Sequence, residues 1–405
     1  MSLKSSPSSP DDDDESCLAR YRRIIKLLKF CARLCGADVT ELNYKMNVIT
    51  YTICFLFVVF CICTVYTIYV GIVRDGDWSI ILQATCFVGA GVQGITKLIC
   101  CISQRHEMRE AQIFLDATFM KYEQLAGGYR DALLEAIALS MSCIKGFAFV
   151  YIFVVAVLLG FPAAYYIFYN KKILIMQFLL PGLDPEKDSG YIMLFAVHFV
   201  CLAFGAFGNY AADMYLFVFI SNAPLLKNIL RCKFEDLNRE LRKSHDKKDS
   251  RSMRIHWEMV DIVQWHQEYL NLLDRSERTF FVIIFVHVFA CALSTLCTLY
   301  CIVIGVWPAA PAYLLYSVMN LYLFCGLGSV VTISNDDCCE IIYTQCLWYK
   351  LPVAEQRLLM FMLRKSQSTP GLSVGNMLPL TVNTALQLTK AVYSLLMLLM
   401  RDTEN

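Results

Sequence analysis

The sequence predicts an all-α membrane protein: seven transmembrane helices, amino terminus cytoplasmic, carboxyl terminus extracellular, with cytoplasmic helical extensions. Three observations carry the prediction. The 405 residues are 57% apolar and only 18% charged, against about 25% charged in soluble domains. The missing charge is expelled from blocks: no Asp, Glu, Lys or Arg occurs in 47–73, 78–96, 146–170, 189–212, 279–335 or 371–389. A spanning helix needs about 20 apolar residues, so five of these runs supply one span each. The run 279–335 supplies two, broken at Trp307-Pro308-Ala309-Ala310-Pro311, where two prolines oppose helix. Third, the basic residues divide unevenly between the two sides, 27 on the side of the amino terminus and 5 on the other. By the positive-inside rule the 27 face the cytoplasm.

The elements follow in order. Residues 1–17 are rich in Ser, Pro and Asp and read as a disordered tail. The acidic cluster at 11–15 ahead of the first apolar run argues against a cleavable signal peptide. Residues 18–45 form an amphipathic cytoplasmic segment, with Ile24, Ile25, Leu27, Leu28 and Phe30 against six basic residues. Such a helix suits the anionic inner leaflet. Residues 46–334 hold spans one to six. Within them, 103–137 reads as helical extensions turning at Gly127-Gly128, and 222–277 as two long cytoplasmic helices. In the second, Ile255, Met259, Ile262, His266, Tyr269 and Leu273 recur at steps of four and three. Helices that pack on helices show this seam; packing inside one subunit and between subunits both fit it, and we favour the second. Residues 335–370 are a cytoplasmic helical anchor segment, and 371–400 are span seven.

Net charge of +1 excludes an electrostatic nucleic-acid binder. The six His show no zinc-protease spacing, and Cys338, Cys339 and Cys346 make no zinc module. No catalytic constellation emerges, no cofactor is implied, and an enzyme is not expected. Gly89-Ala90-Gly91-Val92-Gln93-Gly94 and Gly205-Ala206-Phe207-Gly208 read as places where helices approach closely. No cysteine falls in an outer connection, so the nineteen thiols read as apolar filler rather than disulfides. Lys97, Lys145 and Asp213 fall near the inner leaflet, within reach of pairing or snorkelling. Lys390, nearer the outer half of span seven, is expected to face protein or water. An inside amino terminus, together with the lack of Asp-Arg-Tyr after span three and Asn-Pro-x-x-Tyr in span seven, sets the chain apart from G-protein-coupled receptors. A transporter would show internal repeats, and none is visible.

The last sixty residues carry a specific pattern. It runs through Trp348-Tyr349-Lys350-Leu351-Pro352, Leu358-Leu359, Arg364-Lys365-Ser366-Gln367 and Pro370, then Leu380-Thr381-Val382-Asn383 and Ala391-Val392-Tyr393-Ser394-Leu395-Leu396. In this order, and with the inverted seven-span architecture, the chain resembles the insect odorant receptors. The resemblance implies a subunit of a ligand-gated, non-selective cation channel in the plasma membrane of olfactory dendrites. It would be a heterotetramer with co-receptor subunits, joined through cytoplasmic helices. Lacking the co-receptor's longer loop between spans four and five, this chain resembles an odour-tuned member.

Projected onto this sequence, the family's pocket for a small hydrophobic volatile odorant falls on Phe87, Val155, Leu158, Leu159, Phe195, His198, Phe199, Tyr313, Tyr316, Met319 and Asn320. Its pore gate falls on Leu398 or Leu399. Trp348, with Ile255, Met259, Ile262, Tyr269 and Leu273, would anchor the subunits. A gustatory-receptor-type channel shares the topology, but its usual ending is absent. An atypical seven-helix G-protein-coupled receptor is the more distant alternative.

Overall fold

A computed structural model describes residues 16–404 apart from 39–40, 42–43, 76–78, 126, 171, 177, 186, 244–247 and 369–370. Most of the tail therefore lies outside the described residues. Among those described, seven helices are long and apolar enough to cross a membrane. The end of the bundle that carries the first helix is called the near end below, and the opposite one the far end.

Helix α1 (Cys17–Leu34) begins within the segment read as tail, capped by the Ser16 side chain. Its apolar face is turned onto protein rather than onto a leaflet. Tyr21, Ile24, Ile25, Leu28 and Ala32 are buried, and the Tyr21 ring stacks on Phe119 of α4 (Arg105–Glu123) at 4.2 Å. Leu27, Phe30 and Leu34 stay exposed, so the expectation of a membrane-lying helix is corrected only for the stripe that packs on α4.

The first span is α2 (Val48–Val70), the second α3 (Ser79–Ser103) and the third α5 (Gly128–Tyr169), which opens after Gly127 at φ +79. The fourth, α6 (Asp188–Ile220), is followed directly by α7 (Ala223–Arg242). Helix α8 (Lys248–Ile304) is continuous over 57 residues, roughly 85 Å at the standard rise, so one rod serves both as the extramembrane seam and as span five. Gly305, at φ +74, ends it, and α9 (Ala310–Thr344) starts within the Trp307–Pro311 break.

The α8 seam is satisfied inside this chain. Ile255, Met259, Ile262, His266, Tyr269 and Leu273 are all buried, in a core shared with α7, α9 and α10 (Val353–Gln367). His266 meets Ser366 at 2.7 Å, and the Tyr269 hydroxyl donates to Asn335 Oδ1. The preference for packing between subunits is therefore corrected: this face is consumed by the chain's own helices. Of the expected anchor residues, only Trp348 remains exposed.

Between α10 and the last helix, the structure has a two-stranded hairpin, β1 (Ser373–Val374) against β2 (Leu378–Pro379). Its turn uses Gly375 and Asn376, both at positive φ, as a tight hairpin turn requires. Span seven, α11 (Val382–Glu404), accordingly starts later than the charge-free run suggested. Gly328 of α9 lets this junction close: a Cβ there would overlap the Leu380 carbonyl oxygen. Gly89 does the same for α3 on α8, facing Ser294. Gly205 and Gly208 do not, since a Cβ at either meets open space. The close-approach expectation for that pair is corrected, because no neighbouring atom lies within 4 Å of a Cβ built at either position.

Candidate functional site: a cavity with a polar end

Helices α2, α3, α5, α6 and α9, with the end of α1, line a cavity of about 180 Å³. Aliphatic and aromatic side chains make most of its wall, and Gly205 and Gly208 contribute bare backbone. A dry apolar cavity of about 150 Å³ holds benzene, so a small volatile fits by volume.

The far end is aromatic and closed by the α5–α6 connection. Phe87 packs between Trp307 and Tyr313 at centroid distances of 5.2 and 4.7 Å, and Tyr313 leads to Tyr316 at 5.8 Å. The connection folds inward: Ile175, Met176 and Phe178 are buried, and Met176 lines the cavity. It is pinned by Leu179 N–H donating to Thr67 Oγ1 at 2.7 Å and by Tyr191 Oη donating to the Ile173 carbonyl at 3.0 Å. His198 contributes a ring nitrogen 3.0 Å from the Phe178 carbonyl.

Toward the near end, one side of the wall becomes polar and is backed by a buried ion pair, while Ala32, Cys35, Ala37 and Leu98 keep the rest apolar. The Tyr316 hydroxyl donates to Tyr151 Oη at 3.3 Å, and Tyr151 donates to Asp213 Oδ2 at 2.8 Å. Asp213 Oδ1 lies 2.6 Å from Lys97 Nζ, and Lys97 also donates to Asn209 Oδ1 at 3.1 Å. Both charges are inaccessible, at 0% and 1% exposure, as only a paired buried ion tolerates. Lys97 further sits 5.6 Å from the Phe324 ring centroid, and His287 of α8 stacks on the other partner of that contact, Phe324, at 3.6 Å. The polar end thus joins α3, α5, α6, α8 and α9. Lys145, grouped with Lys97 and Asp213 in the sequence, lies exposed instead.

Of the eleven residues projected for the pocket, Phe87, Val155, Leu158, Tyr313 and Tyr316 line this cavity. Leu159 and Phe195 pack at the margin of the far-end core. His198 is buried but committed to the connection. Asn320 is buried off the wall, its amide donating to the Tyr316 carbonyl at 3.2 Å. Phe199 and Met319 point outward and are exposed, because they sit on the opposite helical faces from the cavity. Sequence reasoning missed Tyr151, Met176 and Asn209. An apolar run, 173–176 with 178–180, in an otherwise polar connection was the available signal for Met176. Among the described residues no group of His, Cys, Asp or Glu is arranged to hold a metal, and all nineteen cysteines are free thiols.

The fold is thus a seven-helix bundle with an apolar cavity among its helices. The sequence profile of the 7tm odorant receptor family matches residues 77–393, and the chain belongs to that family. It is 24% identical to a Drosophila melanogaster protein named odorant receptor 83c, over 99% of both chains. The fold is similar to that of the insect olfactory receptor OR5 from Machilis hrabei, with a TM-score of 0.76, 11% identity and coverage of 94% and 98% of the two chains. The structure of that receptor in complex with eugenol gives a TM-score of 0.73 at 11% identity, over 95% and 99% of the chains. The chain thus combines membership of a receptor family with the fold of an insect olfactory receptor and seven helices able to cross a membrane.

Proposed function

We propose that this chain is the odorant-binding subunit of a ligand-gated, non-selective cation channel. The observation that carries the reading is the apolar cavity between α1, α2, α3, α5, α6 and α9, in a family of odorant receptors. A volatile has few polar handles, so affinity comes from apolar burial at about 25 cal/mol per Å² plus ring contacts. The rings Phe87, Tyr313 and Tyr316 supply those contacts. The Machilis receptor's complex with eugenol supports a small volatile as the ligand class.

Span α11 is the candidate pore wall, with Leu398 and Leu399 as a dewetting gate. Support comes from its one-sided packing. Ala385, Val392 and Leu396 are buried, while Leu395, Met397, Leu398 and the Lys390 side face away from the chain. In the proposed assembly that free face meets the pore and co-receptor subunits, and exposed Trp348 contributes to the joint. The amino terminus is cytoplasmic, and the site of action is the plasma membrane of olfactory neuron dendrites. Co-expression with a co-receptor subunit and current recording across a broad odour panel tests the reading. Odour-evoked cation current is expected. A surface-expressed chain silent to the whole panel overturns it, and an amino-terminal tag reached only from outside overturns the orientation.

A further inference from the structure

The hydrogen inventory at the polar end selects a functional group, a conclusion that rests on the cavity being the odorant site. A tyrosine hydroxyl has one hydrogen and two acceptor lone pairs. Tyr151 commits its hydrogen to the Asp213 carboxylate at 2.8 Å, and Lys97 at 2.6 Å holds that carboxylate in place. Toward the cavity, Tyr151 Oη is therefore an acceptor only. Its neighbour Tyr316 directs a hydrogen at it across 3.3 Å, long for an O–H···O bond, whose usual length is about 2.7–2.8 Å.

Two cavity-facing groups thus stand side by side on α5 and α9: an underfilled acceptor, Tyr151, and a loosely engaged donor, Tyr316. Two other polar groups on the wall are committed elsewhere. The Tyr313 hydroxyl donates to the Cys86 carbonyl at 2.9 Å. Asn209 donates to the Gly205 carbonyl at 2.9 Å and accepts from Lys97.

A ligand that completes the tyrosine pair must both take a hydrogen from Tyr316 and give one to Tyr151. A hydroxyl does both. A ketone, ester or ether accepts from Tyr316 but leaves Tyr151 short, and an amine carried as ammonium has no lone pair to take the Tyr316 hydrogen. We infer that this cavity selects small apolar molecules bearing a hydroxyl, seated between Tyr151 and Tyr316 with the hydrocarbon body toward Phe87 and Met176.

The test uses the full chain co-expressed with a co-receptor subunit and matched triplets of alcohol, ketone and methyl ether on aliphatic, terpenoid and aromatic skeletons. One net hydrogen bond makes the alcohols more potent by roughly five- to tenfold. Tyr151→Phe, checked for surface expression, removes the acceptor that only an alcohol uses and compresses the alcohol-to-ether potency ratio to near one, whereas Tyr316→Phe weakens alcohol and ether alike. Ketones or ethers ranking level with their alcohols in the unmodified chain overturn the hydroxyl inference alone. So does an alcohol preference that survives Tyr151→Phe in a surface-expressed chain. Silence to every triplet and to the broad panel, with the chain at the surface, overturns the odorant-site reading and this inference with it.

Discussion

Breaking the Lys97–Asp213 pair on one side should damage the protein more than removing both charges. At 2.6 Å and an effective dielectric of 20, the gross attraction is about 6 kcal/mol. Removing two charges from water costs several kcal/mol per ion, so the intact pair contributes little net stability. A single replacement changes the account, because it strands one charge among α3, α5, α6 and α9 at essentially zero exposure. That penalty is about 3–5 kcal/mol, a large share of a typical 5–15 kcal/mol stability.

Asp213→Asn is the informative single change. It keeps an oxygen that can accept from Tyr151 while stranding the Lys97 ammonium. Lys97→Met strands the carboxylate and leaves Asn209 without its donor. The double variant buries no charge and loses only hydrogen bonds, each about 0.5–1.5 kcal/mol. Surface-expressed fraction and the thermal midpoint of the detergent-solubilised chain read the effect. Each single variant should lose most of its surface population, and the double should recover a substantial part. Single losses that simply add in the double would refute the reasoning, because independent sites add and paired charges do not.

Other expectations follow from local geometry. Gly328→Ala forces a methyl against the Leu380 carbonyl and should cost about 1–3 kcal/mol, seen as a lowered thermal midpoint, whereas Gly208→Ala, which meets open space, should not shift it. Tyr21→Ala removes a buried ring stacked on Phe119 and should cost about 3–5 kcal/mol. Phe30→Ala, on the exposed side of the same helix, should cost far less; equal losses would restore the membrane-lying reading of α1.

Asp116 offers a pH test. Burial raises its carboxyl above the ordinary range, with Arg22 and Lys29 pulling the other way. A raised folded value means the native state favours the protonated acid. This contribution is present below the unfolded value and lost as pH rises through the folded one. Asp116→Asn should therefore stabilise the chain at neutral pH, and the gain should shrink as the pH falls toward the carboxylate range. A gain independent of pH in thermal melts would count against this account.

Much of the fold was legible because its signals are local. Charge is excluded from each span by the bilayer, whichever partner the span later meets, so 47–73 and 146–170 announced α2 and α5. The pair of prolines around 308–311 marked the α8–α9 break for the same reason. The α8 seam was equally legible as a periodicity, but its destination was not: a stripe of Met259, Ile262 and Tyr269 is the same whether the covering helix belongs to this chain or another. Only the docking of α7, α9 and α10 decided that.

By itself, then, the sequence determined the number of spans, their breaks and the amphipathic faces, because hydrophobic burial and backbone chemistry act over a few residues at a time. Tertiary structure alone decided what those faces meet. It brought Lys97 to Asp213 across 116 positions, placed Met176 in the cavity wall, and set Tyr151 beside Tyr316. Such contacts depend on the rotation and separation of helices, and no local pattern encodes them.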